Sequence, residues 1–218
     1  MFQVKICGIT RLEDALCAAA NGAAAVGFIF YPPSLRCIQP AAARLIVDKL
    51  PHDLVKVGVF VNETADEIKR IRDYCRLDMI QLHGDESPEY CRQFPADRVI
   101  KALELKKEED LKQAEAYPVA AILVDSRHAG LYGGTGKTAD WDLARRLSRP
   151  LILSGGIKED NVLDALLRVQ PAALDINSGV ESSPGRKDPA IIARIMPMIF
   201  TADTAPSDSA IFTRREDQ

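Results

Sequence analysis

The sequence predicts one α/β domain, a (β/α)8 barrel, and two observations indicate this fold. Short apolar segments alternate with amphipathic helical patterns along most of the 218 residues. The apolar segments are nearly continuous, which is typical of parallel strands that are covered on both faces. Eight strand–helix pairs in about 200 residues match the count of a (β/α)8 barrel.

The strands and helices are predicted to alternate without a break. The predicted strands are residues 2–7, 24–30, 54–61, 78–82, 98–103, 119–125, 150–154 and 172–177. The predicted helices are residues 11–21, 40–49, 64–76, 87–93, 107–116, 139–147, 159–169 and 188–199. A doubly wound open sheet is the alternative. It is less favoured, because such a sheet usually has fewer strands and the G-x-G-x-x-G turn is missing after the first strand.

Three predicted helices carry recognisable start signals. Thr10 with Glu13, and Thr64 with Glu67, have the spacing of a capping box. Asp188 stands before a proline, as an N-cap residue does before proline in the first helical position. The predicted barrel spans residues 1–200. Residues 201–218 lose the periodicity and are polar, which predicts a loosely packed or disordered tail.

The composition narrows the classes of partner. Hydrophobic residues make up 47% of the chain, charged residues 27% and aromatic residues 6%, with a net charge of −3. This balance argues against general affinity for nucleic acid or an anionic membrane surface. Five cysteines at irregular spacing, without a C-x-x-C pair or clustered histidines, argue against a disulfide framework and a zinc site. With no recognisable secretory signal, the expected location is the cytoplasm.

Glycine-containing loops follow the last two predicted strands. Gly155 and Gly156 follow strand seven, and Ser178 and Gly179 follow strand eight. In barrels of this type the active site lies at the carboxyl ends of the strands, and these two loops commonly hold a phosphate. The sequence therefore predicts a phosphate site there. The alternative is that the glycines only form tight turns.

A thiol and a carboxyl group follow two other strands. Cys7 follows strand one, and Asp125 ends an otherwise apolar strand six. At the mouth of a barrel the two groups would flank a ligand and act as base and acid. Alternatively, Cys7 is a small buried apolar residue and Asp125 caps a loop.

Further polar residues lie near the same predicted mouth. Arg36 suits a substrate carboxylate, and His83 suits a substrate contact, although a surface arginine and a capping histidine are the alternatives. The glycine-rich segment 130–136 is predicted to form a mobile cover, or else a plain surface loop. Asp175 within strand eight predicts a polar contact inside the barrel, and Lys5 is a second candidate interior polar residue.

These residues lie within motifs that together resemble one enzyme family. The motifs are Lys5-Ile6-Cys7-Gly8-Ile9-Thr10, Gly27-Phe28-Ile29-Phe30, Ser34 with Arg36, Gly58-Val59-Phe60-Val61-Asn62, Gln81-Leu82-His83-Gly84, Val124-Asp125-Ser126, Gly133-Gly134-Thr135-Gly136, Asp140-Trp141, Leu153-Ser154-Gly155-Gly156, and Ser178-Gly179-Val180-Glu181 with Pro184-Gly185-Lys187-Asp188. From residue 3 to about 199 the chain resembles the phosphoribosylanthranilate isomerases of tryptophan biosynthesis.

The resemblance implies a TIM barrel that uses no cofactor. It implies conversion of N-(5-phosphoribosyl)anthranilate to 1-(o-carboxyphenylamino)-1-deoxyribulose 5-phosphate by an Amadori rearrangement. The family's base matches Cys7, its acid Asp125 and its carboxylate-binding arginine Arg36, and its phosphate loops match 155–156 and 178–179. The chain departs from the family at Ala139, where an aromatic residue is usual, and at 174–177.

Two other functions remain open at this point. One is a barrel isomerase that acts on a phosphoribosyl intermediate of histidine synthesis, a reaction normally run by two aspartates where this chain has Cys7 and Asp125. The other is a phosphate-ligand binding protein or scaffold without catalysis. The expected partner is a small phosphorylated substrate, and the sequence leaves monomer and homodimer open.

Overall fold

The computed structural model describes residues 2–125, 141–202 and 210–214. Eight parallel strands close into a barrel in chain order. They are β1 (Gln3–Ile6), β2 (Ala25–Ile29), β3 (Val55–Phe60), β4 (Met79–Leu82), β5 (Val99–Leu103), β6 (Ala121–Val124), β7 (Leu151–Leu153) and β8 (Ala173–Ile176). All eight lie within the predicted ranges, so the predicted (β/α)8 barrel is confirmed.

Helices follow the strands and cover the outside of the barrel. They are α1 (Leu12–Ala20), α2 (Pro40–Val47), α3 (Ala65–Cys75), α4 (Pro88–Cys91), α5 (Glu108–Glu115), α6 (Trp141–Ala144), α7 (Val162–Val169) and α8 (Pro189–Thr201). Each lies in or next to its predicted range, and α4 and α6 are the shortest. Within the described ranges, none of these helices is both long and apolar enough to cross a membrane.

Two of the three predicted helix starts are confirmed, but the capping box at Thr64 is only half formed, because the Thr64 N–H donates to Glu63 Oε1 and not to Glu67. The Thr64 hydroxyl accepts from the backbone N–H of Glu67 at 3.4 Å, and Asp188 accepts from the N–H of Ala190 at 2.8 Å. The capping box at Thr10 is wrong, because Arg11 is the N-cap residue of α1. The Thr10 hydroxyl instead donates to the carbonyl of Gly185 and ties the start of α1 to a later loop.

Alternation along the strands separates two layers of core. Inward-facing side chains fill the barrel interior and outward-facing ones pack against the helices, because successive strand residues point to opposite faces. The interior cluster includes Val57, Met79, Ile100 and Leu123. The last inward positions, at the carboxyl ends of the strands, therefore lie at the mouth of the barrel.

The polar segment after α8 is not loosely packed throughout. Ile211 and Phe212 are buried and join the interior cluster of the barrel. Their backbone N–H groups donate to Gln3 Oε1 at 2.7 and 3.1 Å, and Gln3 Nε2 donates to the Phe212 carbonyl at 3.3 Å. The prediction of a loose tail therefore does not hold for residues 210–214, because two apolar side chains find a place at the amino-terminal end of the barrel.

A short antiparallel hairpin that the sequence did not predict follows β8. It consists of β9 (Glu181–Ser183) and β10 (Arg186–Lys187). The Lys187 ammonium is almost fully buried and lies 2.9 Å from Glu181 Oε1, so the hairpin brings an ion pair to the barrel mouth.

Candidate active site

A cavity of about 290 Å³ opens at the carboxyl ends of the strands. All eight residues predicted for catalysis or substrate binding line it: Cys7, Arg36, His83, Asp125, Gly155, Gly156, Ser178 and Gly179. They come from six different strand–helix connections or strand ends. Closure of the barrel therefore brings together residues that lie far apart in the sequence, from Cys7 to Gly179.

Cys7 extends β1 into the cavity. Its backbone N–H donates to the Ile176 carbonyl on β8 at 2.9 Å, which continues the barrel ladder by one residue. The side chain shares the inward face with Lys5, two residues earlier. On the neighbouring strand, a Cβ at Gly27 would lie 2.7 Å from Cys7 Sγ, so the sulfur needs a glycine beside it.

The buried position of Cys7 controls the charge of its sulfur. Burial raises the pKa of the Cys7 thiol, and the carboxylate of Asp175 acts in the same direction. The ammonium groups of Lys5 and Lys187 act in the opposite direction and favour the thiolate. Burial outweighs the effect of the two ammonium groups, so the pKa of the Cys7 thiol lies above its ordinary value.

Asp125 and His83 lie together in the cavity. His83 Nε2 is 3.3 Å from Asp125 Oδ2, and both side chains are buried. Gln81, one of the residues that sequence analysis gave no role, places its amide nitrogen 2.8 Å from His83 Nδ1. With that amide donating to Nδ1, the ring proton of a neutral histidine lies on Nε2.

Arg36 is held by a carboxylate that sequence analysis did not assign. Its Nε lies 2.9 Å from Glu181 Oε1 and its Nη2 lies 2.7 Å from Glu181 Oε2. Burial acts to raise the pKa of Glu181, but hydrogen bonds from Arg36 and Lys187 hold it below the ordinary value. The pairing fixes one edge of the guanidinium group at the cavity wall.

The loops after β7 and β8 form the opposite wall. Gly155 and Gly156 have φ values of 83° and 68°, in the left-handed region that favours glycine. A Cβ at Gly179 would lie 1.8 Å from the Ile157 carbonyl oxygen, so the two loops approach each other through that glycine. Within the described ranges, no hydrogen bond engages the backbone N–H groups of Gly155, Gly156, Ser178 or Gly179. These N–H groups are therefore suited to an anion.

A buried ion pair lies beneath the cavity. Lys5 Nζ is 2.7 Å from Asp175 Oδ1, and the two residues are register partners on β1 and β8. The predicted polar contact of Asp175 inside the barrel is thereby confirmed. Its partner was not predicted, because nothing local in the sequence gives the register between the first and last strands.

Two sequence features lie outside the described residues. They are the glycine-rich segment 130–136, predicted as a mobile cover, and Ala139, where the chain departs from the family pattern.

Comparison with known proteins agrees with the resemblance seen in the sequence. Residues 4–197 match the family model of N-(5′-phosphoribosyl)anthranilate isomerase. The N-(5′-phosphoribosyl)anthranilate isomerase of Syntrophus aciditrophicus strain SB is 50% identical over 198 residues, which cover 90% of this chain and 86% of that protein.

Solved structures of the same family have the same fold. Monomers generated from the dimeric phosphoribosylanthranilate isomerase of Thermotoga maritima are 43% identical, with a TM-score of 0.81 over 92% of this chain and 99% of that one. A phosphoribosylanthranilate isomerase in complex with reduced 1-(o-carboxyphenylamino)-1-deoxyribulose 5-phosphate is 42% identical, with a TM-score of 0.80 and the same coverage of both chains. The chain therefore belongs to the N-(5′-phosphoribosyl)anthranilate isomerase family and is an isomerase of tryptophan biosynthesis.

Proposed function

We propose that Cys7 and Asp125 carry out this isomerisation as general base and general acid on N-(5′-phosphoribosyl)anthranilate. The observation that carries the proposal is that both side chains line one cavity with the glycine loops at 155–156 and 178–179. A substrate whose phosphate binds to those loops extends its ribose into the cavity. The thiol of Cys7 and the carboxyl group of Asp125 line that same cavity.

The proposed reaction starts at the ring oxygen of the ribose. Asp125 in its protonated form gives a proton to that oxygen as the C1′–O bond breaks, and the nitrogen lone pair completes a protonated Schiff base. An acid must stand within hydrogen-bond reach of the oxygen, because the charge develops there. His83, 3.3 Å from Asp125, orients the carboxyl group in this proposal.

Cys7 acts in the second step. Its thiolate removes the proton from C2′, and the electron pair of that bond moves to form the enolamine, which tautomerises to the ketose. The imine makes the C2′ proton more acidic, so a thiolate is a competent base. The reaction only relocates protons and bonds within the substrate, so it balances without a redox cofactor.

Arg36 and the glycine loops bind the two anionic ends of the substrate in this proposal. The guanidinium group suits the anthranilate carboxylate, since arginine presents paired donors to such a group. The N–H groups of the loops after β7 and β8 suit the phosphate. A 42% identical family member binds reduced 1-(o-carboxyphenylamino)-1-deoxyribulose 5-phosphate, which carries both anions and supports a site that accepts the two together.

Turnover of two substrates tests the function. Wild-type protein should remove phosphoribosylanthranilate, made in situ and followed by its fluorescence, and should not turn over the phosphoribosyl aminoaldose of histidine synthesis. Preferred turnover of the histidine intermediate would contradict the proposal. Calorimetric binding of the product analogue without any turnover would instead indicate a binding protein.

We also propose a cytoplasmic location, and either a monomer or a homodimer, with no nucleic-acid partner. The cysteine content and the net charge of −3 support the location and the absence of nucleic acid. The dimeric family member of Thermotoga maritima supports the homodimer. Sedimentation of the purified protein separates the two oligomeric states.

A further inference from the structure

Lys5 is a fully buried cation at the base of the cavity. Its side chain has no solvent exposure, and its Nζ lies 2.7 Å from Asp175 Oδ1. A buried ammonium group needs an anionic partner, because desolvation otherwise drives it to its neutral form. Asp175 supplies that partner, and the pKa of Lys5 is raised even though burial acts to lower it.

The sulfur of Cys7 is the second group beside this ammonium. Lys5 in β1 and Cys7, the residue that follows this strand, lie two residues apart and share the inward face. Both side chains reach over Gly27, where a Cβ would lie 2.7 Å from Cys7 Sγ and 3.3 Å from Lys5 Nζ. The glycine on β2 leaves room for both side chains, so the Lys5 ammonium lies near the Cys7 sulfur and favours its thiolate.

The charged groups around Cys7 come from three strands. Lys5 faces it from β1, Asp175 from β8 and Lys187 from β10. The ammonium group of Lys187 donates hydrogen bonds to Glu181 Oε1 and to Asn177 Oδ1, each at 2.9 Å. Among the described residues, Lys5 has one carboxylate partner, Asp175, and its ammonium lies near the sulfur of Cys7. The larger favourable effect on the thiolate comes from Lys5.

We propose that Lys5 is a positioning residue whose ammonium group, shared between Asp175 and Cys7, holds the sulfur as a thiolate when the base is needed. Asp175 has the opposite effect, because its carboxylate competes for the ammonium and repels the thiolate. The proposal rests on the proposed role of Cys7 as base. It adds a residue that touches neither the substrate nor the reacting carbon but sets the state of the base.

Opposite effects of two substitutions test the proposal. The readout is the pH dependence of iodoacetamide alkylation at Cys7, resolved by mass spectrometry of the peptide that contains it. In Lys5→Met the midpoint should rise by about one pH unit or more, because the nearby cation that most favours the thiolate is lost. In Asp175→Asn the midpoint should fall, because the Cys7 thiolate becomes the nearest anion to Lys5. Lys5→Arg should restore a midpoint near that of the wild type.

A second buried ion pair provides the matched control. Lys101 and Glu86 lie 2.7 Å apart and are as buried as Lys5 and Asp175, but they do not face Cys7. Lys101→Met should therefore affect stability and leave the Cys7 midpoint unchanged. Cys17 and Cys37, both partly exposed, serve as internal references whose alkylation should not change in any variant.

The outcomes separate this inference from the proposed function. An unchanged midpoint in Lys5→Met, or a raised or unchanged one in Asp175→Asn, overturns the role of Lys5. If Lys5→Met lacks the native circular dichroism spectrum, the nearly isosteric Asp175→Asn decides the question. Normal turnover by Cys7→Ala would instead overturn the role of Cys7 as base, whatever the alkylation profiles show.

Discussion

The carboxylate of Glu181 accepts hydrogen bonds from two nitrogens of the Arg36 guanidinium group, Nε at 2.9 Å and Nη2 at 2.7 Å. The same carboxylate accepts from Lys187 Nζ at 2.9 Å. One carboxylate is thus shared by Arg36 and Lys187 at the cavity wall. The guanidinium group that it holds there is suited to the carboxylate end of the substrate.

Loss of Arg36 should weaken substrate binding. Arg36→Ala removes the donors proposed for the anthranilate carboxylate, so KM should rise by about 10- to 100-fold while kcat changes much less. Steady-state kinetics with phosphoribosylanthranilate measure both constants. Arg44→Ala, at an arginine on α2 paired with Asp48 away from the cavity, is the control and should leave KM unchanged. An unaltered KM in Arg36→Ala would mean that the guanidinium group serves only the ion pair with Glu181.

The depressed pKa of Glu181 should make its contribution to stability dependent on pH. Because the pKa is lowered in the folded protein, the ionised group stabilises the fold at pH values above the ordinary glutamate pKa of about 4.3. This stabilisation is lost as pH falls through the lowered pKa. The free energy of unfolding of Glu181→Gln should therefore lie below that of the wild type near neutral pH, and the difference should shrink in acid. Urea unfolding at a series of pH values measures it, and a gap that widens in acid would contradict the assignment.

The glycine at 156 should matter for phosphate binding as well as for stability. Gly156→Ala places a side chain in a left-handed conformation at φ 68°, which costs about 1 kcal/mol and distorts the loop that presents the N–H groups. KM should rise. Gly22→Ala, at φ 84° beside Phe200, is the matched control with similar strain far from the cavity. Thermal unfolding and KM are measured on both, and an equal KM in the two variants would argue against a phosphate loop at 155–156.

The buried residues of the tail should stabilise the barrel without affecting catalysis. Phe212→Ala removes an aromatic side chain from the interior cluster, at a cost of about 3 kcal/mol in the free energy of unfolding. Thr213→Ala, at the exposed neighbouring residue, should change it by less than about 0.5 kcal/mol. Denaturant unfolding measures both, and kcat should equal the wild-type value in each. A Phe212→Ala protein as stable as the wild type would show that the segment does not seal the barrel.

Much of the fold could be predicted because the strands are covered on both faces. Continuous apolar segments such as 54–61 and 119–125 predicted the strand positions to within a few residues. The polar residues that follow such segments then predicted the position of the site. Thr10 could not be assigned correctly from its spacing, because its hydroxyl contacts Gly185, more than 170 residues away. Long-range contacts of this kind depend on the closure of the barrel, which local patterns do not contain.

The charged network beneath the site could not be predicted from the sequence for the same reason. Lys5 and Asp175 meet only because β1 and β8 pair in one particular register. Lys187 and Glu181 meet because an unpredicted hairpin folds back over the mouth. The buried Ile211 and Phe212 are two adjacent apolar residues in a polar segment. Two residues are too few to show any periodicity.

The turnover number of two variants tests the central claim most directly. Cys7→Ala and Asp125→Ala should each lower kcat by roughly 10²–10⁴-fold, the usual worth of one acid or base group, and leave KM close to the wild-type value. Cys75→Ala, at a buried cysteine of α3 outside the cavity, is the control and should keep normal kcat. Loss of phosphoribosylanthranilate fluorescence gives the rates. Near-normal kcat in either Cys7→Ala or Asp125→Ala would contradict the assignment of base and acid.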